Sequence, residues 1–191
     1  MQGVIAALLR RSVGVTSTLS LPRTASRSRP ALDFEALYRD ARDDLYAYVA
    51  TLLRDRTAAE DVTAQAFERA YRKQRGFDER RGTQRAWLFG IARNAALDEL
   101  RHRKRHAALA AEPADEGATS AEDFADAALR RAAVQHALGT LAPRDREVIA
   151  LRFHAGLETP EVADVLGVSR SNAATLLHRA MTKLREALDD R

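Results

Sequence analysis

Apolar side chains recur at helical spacing from Phe34 onward. Phe34, Leu37, Tyr38, Ala41, Leu45, Tyr48, Val49, Leu52 and Leu53 fall on one side of a helix. Asp33 stands ahead of them as a suitable N-cap. After Thr57, the positions of Val62, Ala66, Phe67, Ala70 and Tyr71 predict a second helix. Gly76 to Gly82 reads Gly-Phe-Asp-Glu-Arg-Arg-Gly, a loop composition. A third helix is predicted from about Thr83 to Arg105, with Leu88, Ile91, Ala92 and Ala95 as its buried stripe. No proline lies between Pro30 and Pro113, and no apolar/polar alternation suggests a strand. The pattern is that of an all-helical unit.

The pattern lapses over residues 107–128 and resumes after them. Leu129 to Leu141 reads as one helix, and Pro143 opens another with Val148, Ile149, Leu151 and Phe153 as its apolar set. Gly156 ends that helix, and Thr159 caps a short one carrying Pro160 and Glu161 in its first turn. Residues 1–32 show no sustained periodicity and are rich in Ser, Thr and Arg, which reads as a disordered basic N-terminal tail. The expected fold class is therefore all-α: two small helical domains, residues 33–106 and 129–191, joined by a flexible linker at 107–128.

Charge sharpens this division. The whole chain of 191 residues carries only +4. Residues 76–106 hold eight basic and four acidic side chains, whereas 107–128 hold six acids and no base. Residues 129–191 return to ten bases against eight acids. Two cation-rich units with an anionic tether suit a nucleic-acid partner better than the net charge alone does. The absence of cysteine excludes disulfides and thiolate chemistry. No apolar run is long enough for membrane insertion. His102 and His106 have a metal-compatible spacing, but they stand among four cations with no third ligand nearby, so no metal site is expected. There is no Gly-rich phosphate loop and no catalytic constellation, which points away from an enzyme and from any cofactor.

Thr159 to His178 fits a helix-turn-helix. Ala163 allows close approach of the two helices, and Gly167 suits the left-handed residue of the turn. Val162, Leu166, Val168, Ala173 and Leu176 supply the apolar packing positions, and Ser169 can cap the second helix. Ser169, Arg170, Ser171, Ala174, Thr175 and His178 are then left facing outward, with Arg179 and Lys183 beyond.

Residues 33–188 resemble the small two-domain sigma factors of bacterial RNA polymerase, the extracytoplasmic-function (ECF) group of the sigma-70 family. The most specific segment runs from Phe77 to Arg101 and resembles the promoter-melting part of region 2. Ala59 to Phe67 resembles the core-polymerase-binding helix, and Leu141 to Ile149 with the helix-turn-helix resembles region 4. The resemblance implies a cytoplasmic specificity subunit without chemistry of its own. Its implied partners are core RNA polymerase, promoter DNA as duplex and as melted single strand, and an anti-sigma factor.

The resemblance also distributes the residues. Glu60, Asp61, Gln65 and Phe67 would meet core polymerase. Phe77, Arg80, Arg81, Thr83, Arg85, Trp87, Arg93 and Asn94 would serve minus-10 recognition and melting, with Arg101, Arg103, Lys104 and Arg105 on backbone phosphate. Ser169, Arg170, Ser171, Asn172, Thr175, His178, Arg179 and Lys183 would serve the minus-35 element. Where the family often has Lys and Arg, this chain has Ala174 and Leu176, so base readout leans on Arg170, Asn172, Thr175 and His178.

Reach adds a constraint. As a free coil the 107–128 tether spans only ~25 Å, against ~70 Å between groove sites two helical turns apart. Both elements are held only if the tether is stretched along a partner. Free in solution, the two units can close on each other or on an inhibitor.

Overall fold

The structure is a computed structural model that describes residues 32–110 and 134–189. The helices in chain order are α1 (Phe34–Leu53), α2 (Arg56–Lys73), α3 (Gln84–Ala110), α4 (134–140), α5 (Pro143–Phe153), α6 (Thr159–Leu166) and α7 (Arg170–Asp189). No strand occurs among the described residues. Two short 3-10 turns, Gln74–Gly76 and Glu79–Arg81, make up much of the loop between α2 and α3. The predicted tail (save Leu32), most of the tether and residues 129–133 of the predicted fourth helix lie outside the described residues.

Caps fix the helix ends. The Asp33 carboxylate accepts from the Ala36 N–H at 3.0 Å, as expected. Asp55 does the same for α2, accepting from Ala58 N–H at 3.0 Å, so that helix begins just ahead of Thr57. Its carboxyl titrates below the usual range, chiefly because it accepts from that backbone N–H and also faces the Arg103 guanidinium. Arg54, between the two helices, adopts the left-handed conformation that lets the chain reverse in two residues.

Thr83 Oγ1 accepts from Ala86 N–H at 3.2 Å and starts α3. This helix continues to Ala110, beyond the predicted end at Arg105 and into the expected tether. Ala107-Ala108-Leu109-Ala110 are strong helix formers, which accounts for the extension. At α6 the cap is Glu158 rather than Thr159: Glu158 N–H donates to Glu161 Oε2 at 2.8 Å, the return half of a capping box.

The helices α1, α2 and α3 pack around an aromatic and aliphatic centre. Phe67 meets Tyr38 and Phe34 edge-on, with ring centroids 4.7 and 6.4 Å away, and Tyr48 meets Phe89 at 5.4 Å. Each large apolar side chain buried this way contributes ~1.5–3 kcal/mol. Leu32, counted with the tail by sequence, is also part of this core. The core does not stop at α3: one continuous cluster joins Leu45, Tyr48, Val49 and Phe89 to Val148, Leu151, Leu157 and Val162. Helix α5 lies against α1, and α6 against α3. A smaller cluster of Leu138, Leu141, Ile149 and Ala180 ties α4 and α5 to α7. Phe153 departs from expectation: it is 62% exposed although it follows the apolar run of α5. The chain leaves the helix at His154, and the ring projects past the packed face.

Candidate nucleic-acid and polymerase interfaces

The helix-turn-helix forms as the residue pattern requires. Ala163 is 1% exposed where α6 meets α7, and Gly167 adopts φ 67° with its N–H closing on the Asp164 carbonyl at 3.2 Å. Ser169 Oγ accepts from Asn172 N–H at 3.2 Å and caps α7. Ser169, Arg170, Ser171, Asn172, Ala174, Thr175, His178 and Arg179 are all exposed, on the first three turns of one helix. Lys183 is different. Its ammonium pairs with the buried carboxylate of Asp145 in the first turn of α5. It therefore fastens α7 to α5 instead of standing clear of the surface with the others.

The loop and helix expected to act on melted DNA divide into exposed and engaged residues. Arg80, Arg81, Asn94, Arg101, Lys104 and Arg105 are exposed. Phe77 and Trp87 are half-buried and tilt against each other at 5.3 Å, so the loop rests on α3 through an aromatic pair. Arg101 pairs with Asp98 at 2.9 Å, and Arg103 with Asp55 and Glu99 at 2.9 and 2.8 Å. Two of the four expected phosphate contacts are thus already neutralised within the fold. His102 and His106 place their Nε2 atoms 3.0 Å apart at the exposed end of α3, and no group of three or more metal-ligating side chains occurs among the described residues.

Three further residues of this set reach across to α5 and α6. Arg85 donates to the Ala155 carbonyl at 2.5 Å and the His154 carbonyl at 3.3 Å, pairs with Asp44, and lies 5.3 Å from the Phe89 ring centroid. Arg93 Nε donates to Glu147 Oε1 at 2.6 Å, with side chains only 16% and 7% exposed. Thr83 Oγ1 donates to Glu161 Oε1 at 2.5 Å. His154 joins the same seam through Thr51 Oγ1 at 3.3 Å, and burial lowers its imidazole below the ordinary value. The Tyr48 hydroxyl is buried without a hydrogen-bond partner. Burial first, and then the Glu147 carboxylate, push this phenol well above its ordinary range.

On α2, Asp61 and Gln65 are exposed and Glu60 is half-buried, so the three are accessible on one side of the helix. Phe67 is not accessible. At 4% exposed, it holds α2 against Phe34 and Tyr38 and is a core residue.

Comparison with known proteins follows this geometry. The family described as Sigma-70 region 2 matches residues 37–106, and Sigma-70, region 4 matches residues 137–186. The ECF RNA polymerase sigma factor SigL of Mycobacterium tuberculosis (strain ATCC 25618 / H37Rv) is 31% identical over 156 residues, covering 81% of this chain and 88% of that protein. The chain belongs to the ECF sigma factors of the sigma-70 family.

Another relative is the RNA polymerase sigma-E factor of Streptomyces antibioticus, 31% identical over 160 residues and 84% of this chain, 87% of that one. Among solved structures, the sigma factor RpoE of Bartonella quintana, in complex with the anti-sigma factor NepR, aligns with a TM-score of 0.74 and 26% identity over 83% of this chain and 99% of that one. CnrH in complex with the cytosolic domain of CnrY aligns at 0.61 and 29% identity, over 82% and 88%. Helices α1 to α3 are thus region 2 of this sigma factor, and region 4 takes in α5, α6 and most of α7. The contacts of Thr83, Arg85 and Arg93 with Glu161, Ala155 and Glu147 all run between the two regions.

The sequence allows the two units to close on each other but marks none of the acceptors that join them. Glu147 shares a helical face with Leu151, one turn on, and a carboxylate in that register calls for a buried partner. Glu161 reads in the sequence as a first-turn acid, which gives no sign of a distant partner. No helix among the described residues is long and apolar enough to cross a membrane.

Proposed function

We propose that this sigma factor binds core RNA polymerase, directs it to promoters bearing two recognition elements, and assists melting at the start site. In this reading residues 33–106 form the core-binding and minus-10 unit, 107–128 the tether and 129–191 the minus-35 unit. Asp61 and Gln65, with Glu60 beside them, face polymerase. Arg170, Asn172, Thr175, His178 and Arg179 enter the major groove, while Phe77 to Thr83, Trp87 and Asn94 handle the melted strand, with phosphate held by the basic end of α3. The nucleotidyl transfer belongs to polymerase, and the factor acts in the cytoplasm.

The observation that carries this reading is the ordered pair of sigma regions with an exposed polar face on the second helix of the helix-turn-helix. An anti-sigma protein is a further partner, supported by likeness to sigma factors solved in such complexes. The test is reconstitution: purified chain, core enzyme and a run-off template library. New start sites that disappear with Arg170→Ala and Arg179→Ala support the reading. No complex with core enzyme and no new starts would overturn it. A gel shift with and without core enzyme separates it from a self-sufficient helix-turn-helix regulator.

A further inference from the structure

Helix α7 carries the outward face of the helix-turn-helix, yet its apolar packing does little to fix its angle. Its buried residues are Ala173 and Ala180, two alanines about two turns apart. Leu176, Leu177, Met181 and Leu184 are only half-buried beside them. Apolar burial is non-directional, and an alanine presents little side chain to interlock with a neighbouring helix. Lys183 supplies a directional contact. Its ammonium pairs with Asp145, in the first turn of α5. Asp145 is 4% exposed, while the lysine side chain stays 44% exposed. The carboxylate is thus held in the packing of α5, and α7 is turned so that its lysine reaches it.

The pair stands far from the outward face it would control. Arg170 opens α7 and Lys183 lies in its second half, so the two are about 20 Å apart along the helix axis. A tilt of about 10° over that length displaces one end by about 3.5 Å. Hydrogen bonds to base edges are lost well before such a displacement. Attraction to phosphate depends on charge and survives it. A change in the angle of α7 therefore affects sequence readout by Arg170, Asn172, Thr175 and His178 more than it affects general attraction to DNA.

We propose that Asp145 is a positioning residue for promoter readout: through Lys183 it fixes the angle of α7, and Lys183 itself makes no phosphate contact. The effect on readout rests on the sigma-factor reading above; the positioning of α7 does not. A buried ion pair can specify an arrangement without adding net stability, because desolvation of the two charges offsets their attraction. Stability and positioning are therefore separable. Removing one partner strands a charge and harms both. Removing both charges together restores the first and leaves the second lost.

The test uses the full-length chain assembled with core enzyme. It is titrated with two duplexes: one carrying a start site recovered from the run-off library, and the same duplex with its upstream element scrambled. The ratio of the two affinities measures specificity. Lys183→Met is expected to lower this ratio roughly tenfold, with no change in the dependence of log affinity on log salt. Arg105→Ala, at the exposed basic end of α3, is the contrast and lowers that slope by about 1. Lys183→Arg keeps a donor for Asp145 and is expected to restore the ratio. Asp145→Asn combined with Lys183→Met is expected to regain the parent's stability in urea while the ratio stays low. A ratio that recovers together with stability would overturn the proposal. So would a salt slope reduced by about 1 in Lys183→Met, or tighter binding of both duplexes in Asp145→Asn, since either makes Lys183 a phosphate contact. If no start site is recovered, the sigma-factor reading fails and the positioning is decided without DNA. The chain has no cysteine, so spin labels at Ala142→Cys, ahead of α5, and Glu186→Cys, on α7, read the distance between the two helices. A narrow distribution is expected in the parent and a broadened one in the double variant. An unchanged distribution overturns the positioning.

Discussion

Arg93 and Glu147 lie 54 positions apart in the chain and share a hydrogen bond of 2.6 Å in a nearly closed environment. Arg144 adds a second donor to the same carboxylate at 3.1 Å. Removing one partner leaves a charge with poor access to water, which costs ~3–5 kcal/mol in enclosed pairs. Urea unfolding of Arg93→Ala, Glu147→Ala and the double variant is expected to show coupling of ~1–3 kcal/mol, with the double variant less damaged than the sum. Additive losses would mean that the two side chains act independently.

Tyr48→Phe is expected to stabilise the folded chain. The ring keeps its contact with Phe89, and the only atom lost is an oxygen without a partner. The gain is ~1–3 kcal/mol, or a few degrees in Tm for a chain of this size. Thermal unfolding followed by circular dichroism checks it, and a lower Tm would contradict the burial argument.

Acid is expected to loosen the seam through His154. Its imidazole sits below the ordinary value of 6.5, because burial disfavours the charged form more than Asp44 favours it. The folded state thus binds fewer protons than the open one, and stability rises with pH across that interval. The contribution is complete well above pH 6.5, where the ring is neutral in both states, and is lost as pH falls below that value toward the lowered folded one. Asp44, Arg85 and the Thr51 hydroxyl surround the ring and its carbonyl. Stability from urea unfolding should be flat from about pH 8 to 7 and fall below that, and His154→Gln should remove the slope.

Gly167→Ala is expected to destabilise region 4 by ~1–2 kcal/mol. The residue sits at φ 67°, and an added Cβ would meet nothing within 4 Å, so the loss comes from the backbone conformation alone. Urea unfolding measures it. Gly76→Ala, with neither a left-handed φ nor a neighbour in reach, serves as the contrasting variant with little change.

The helices and their caps were legible because their causes are local. Asp33, Pro143, Gly167 and Ser169 each act within four residues of themselves. Phe67 is of the same kind: it stands in the apolar pattern with Val62, Ala66 and Ala70, and that pattern, rather than the resemblance that assigned it to polymerase, tells where it turns. Lys183 shows where local causes end, since it lies beside the exposed Arg179 and Glu186 and only the buried Asp145 decides that it turns inward. Arg85 and Arg93 were readable as cations beside the melting loop, yet their acceptors lie 69 to 70 and 54 residues away. No periodicity within one helix reports such a partner.

The acceptors of Arg85 carry a consequence for exchange between relatives. The His154 and Ala155 carbonyls belong to the main chain, so any region 4 with the same turn after α5 offers them whatever its side chains. Glu147 and Glu161 are side chains and travel with their own region. A hybrid that joins this region 2 to a foreign region 4 would keep the arginine anchor while losing both carboxylate partners. The two regions are therefore not interchangeable parts: compatibility between them is written at two positions and guaranteed at a third.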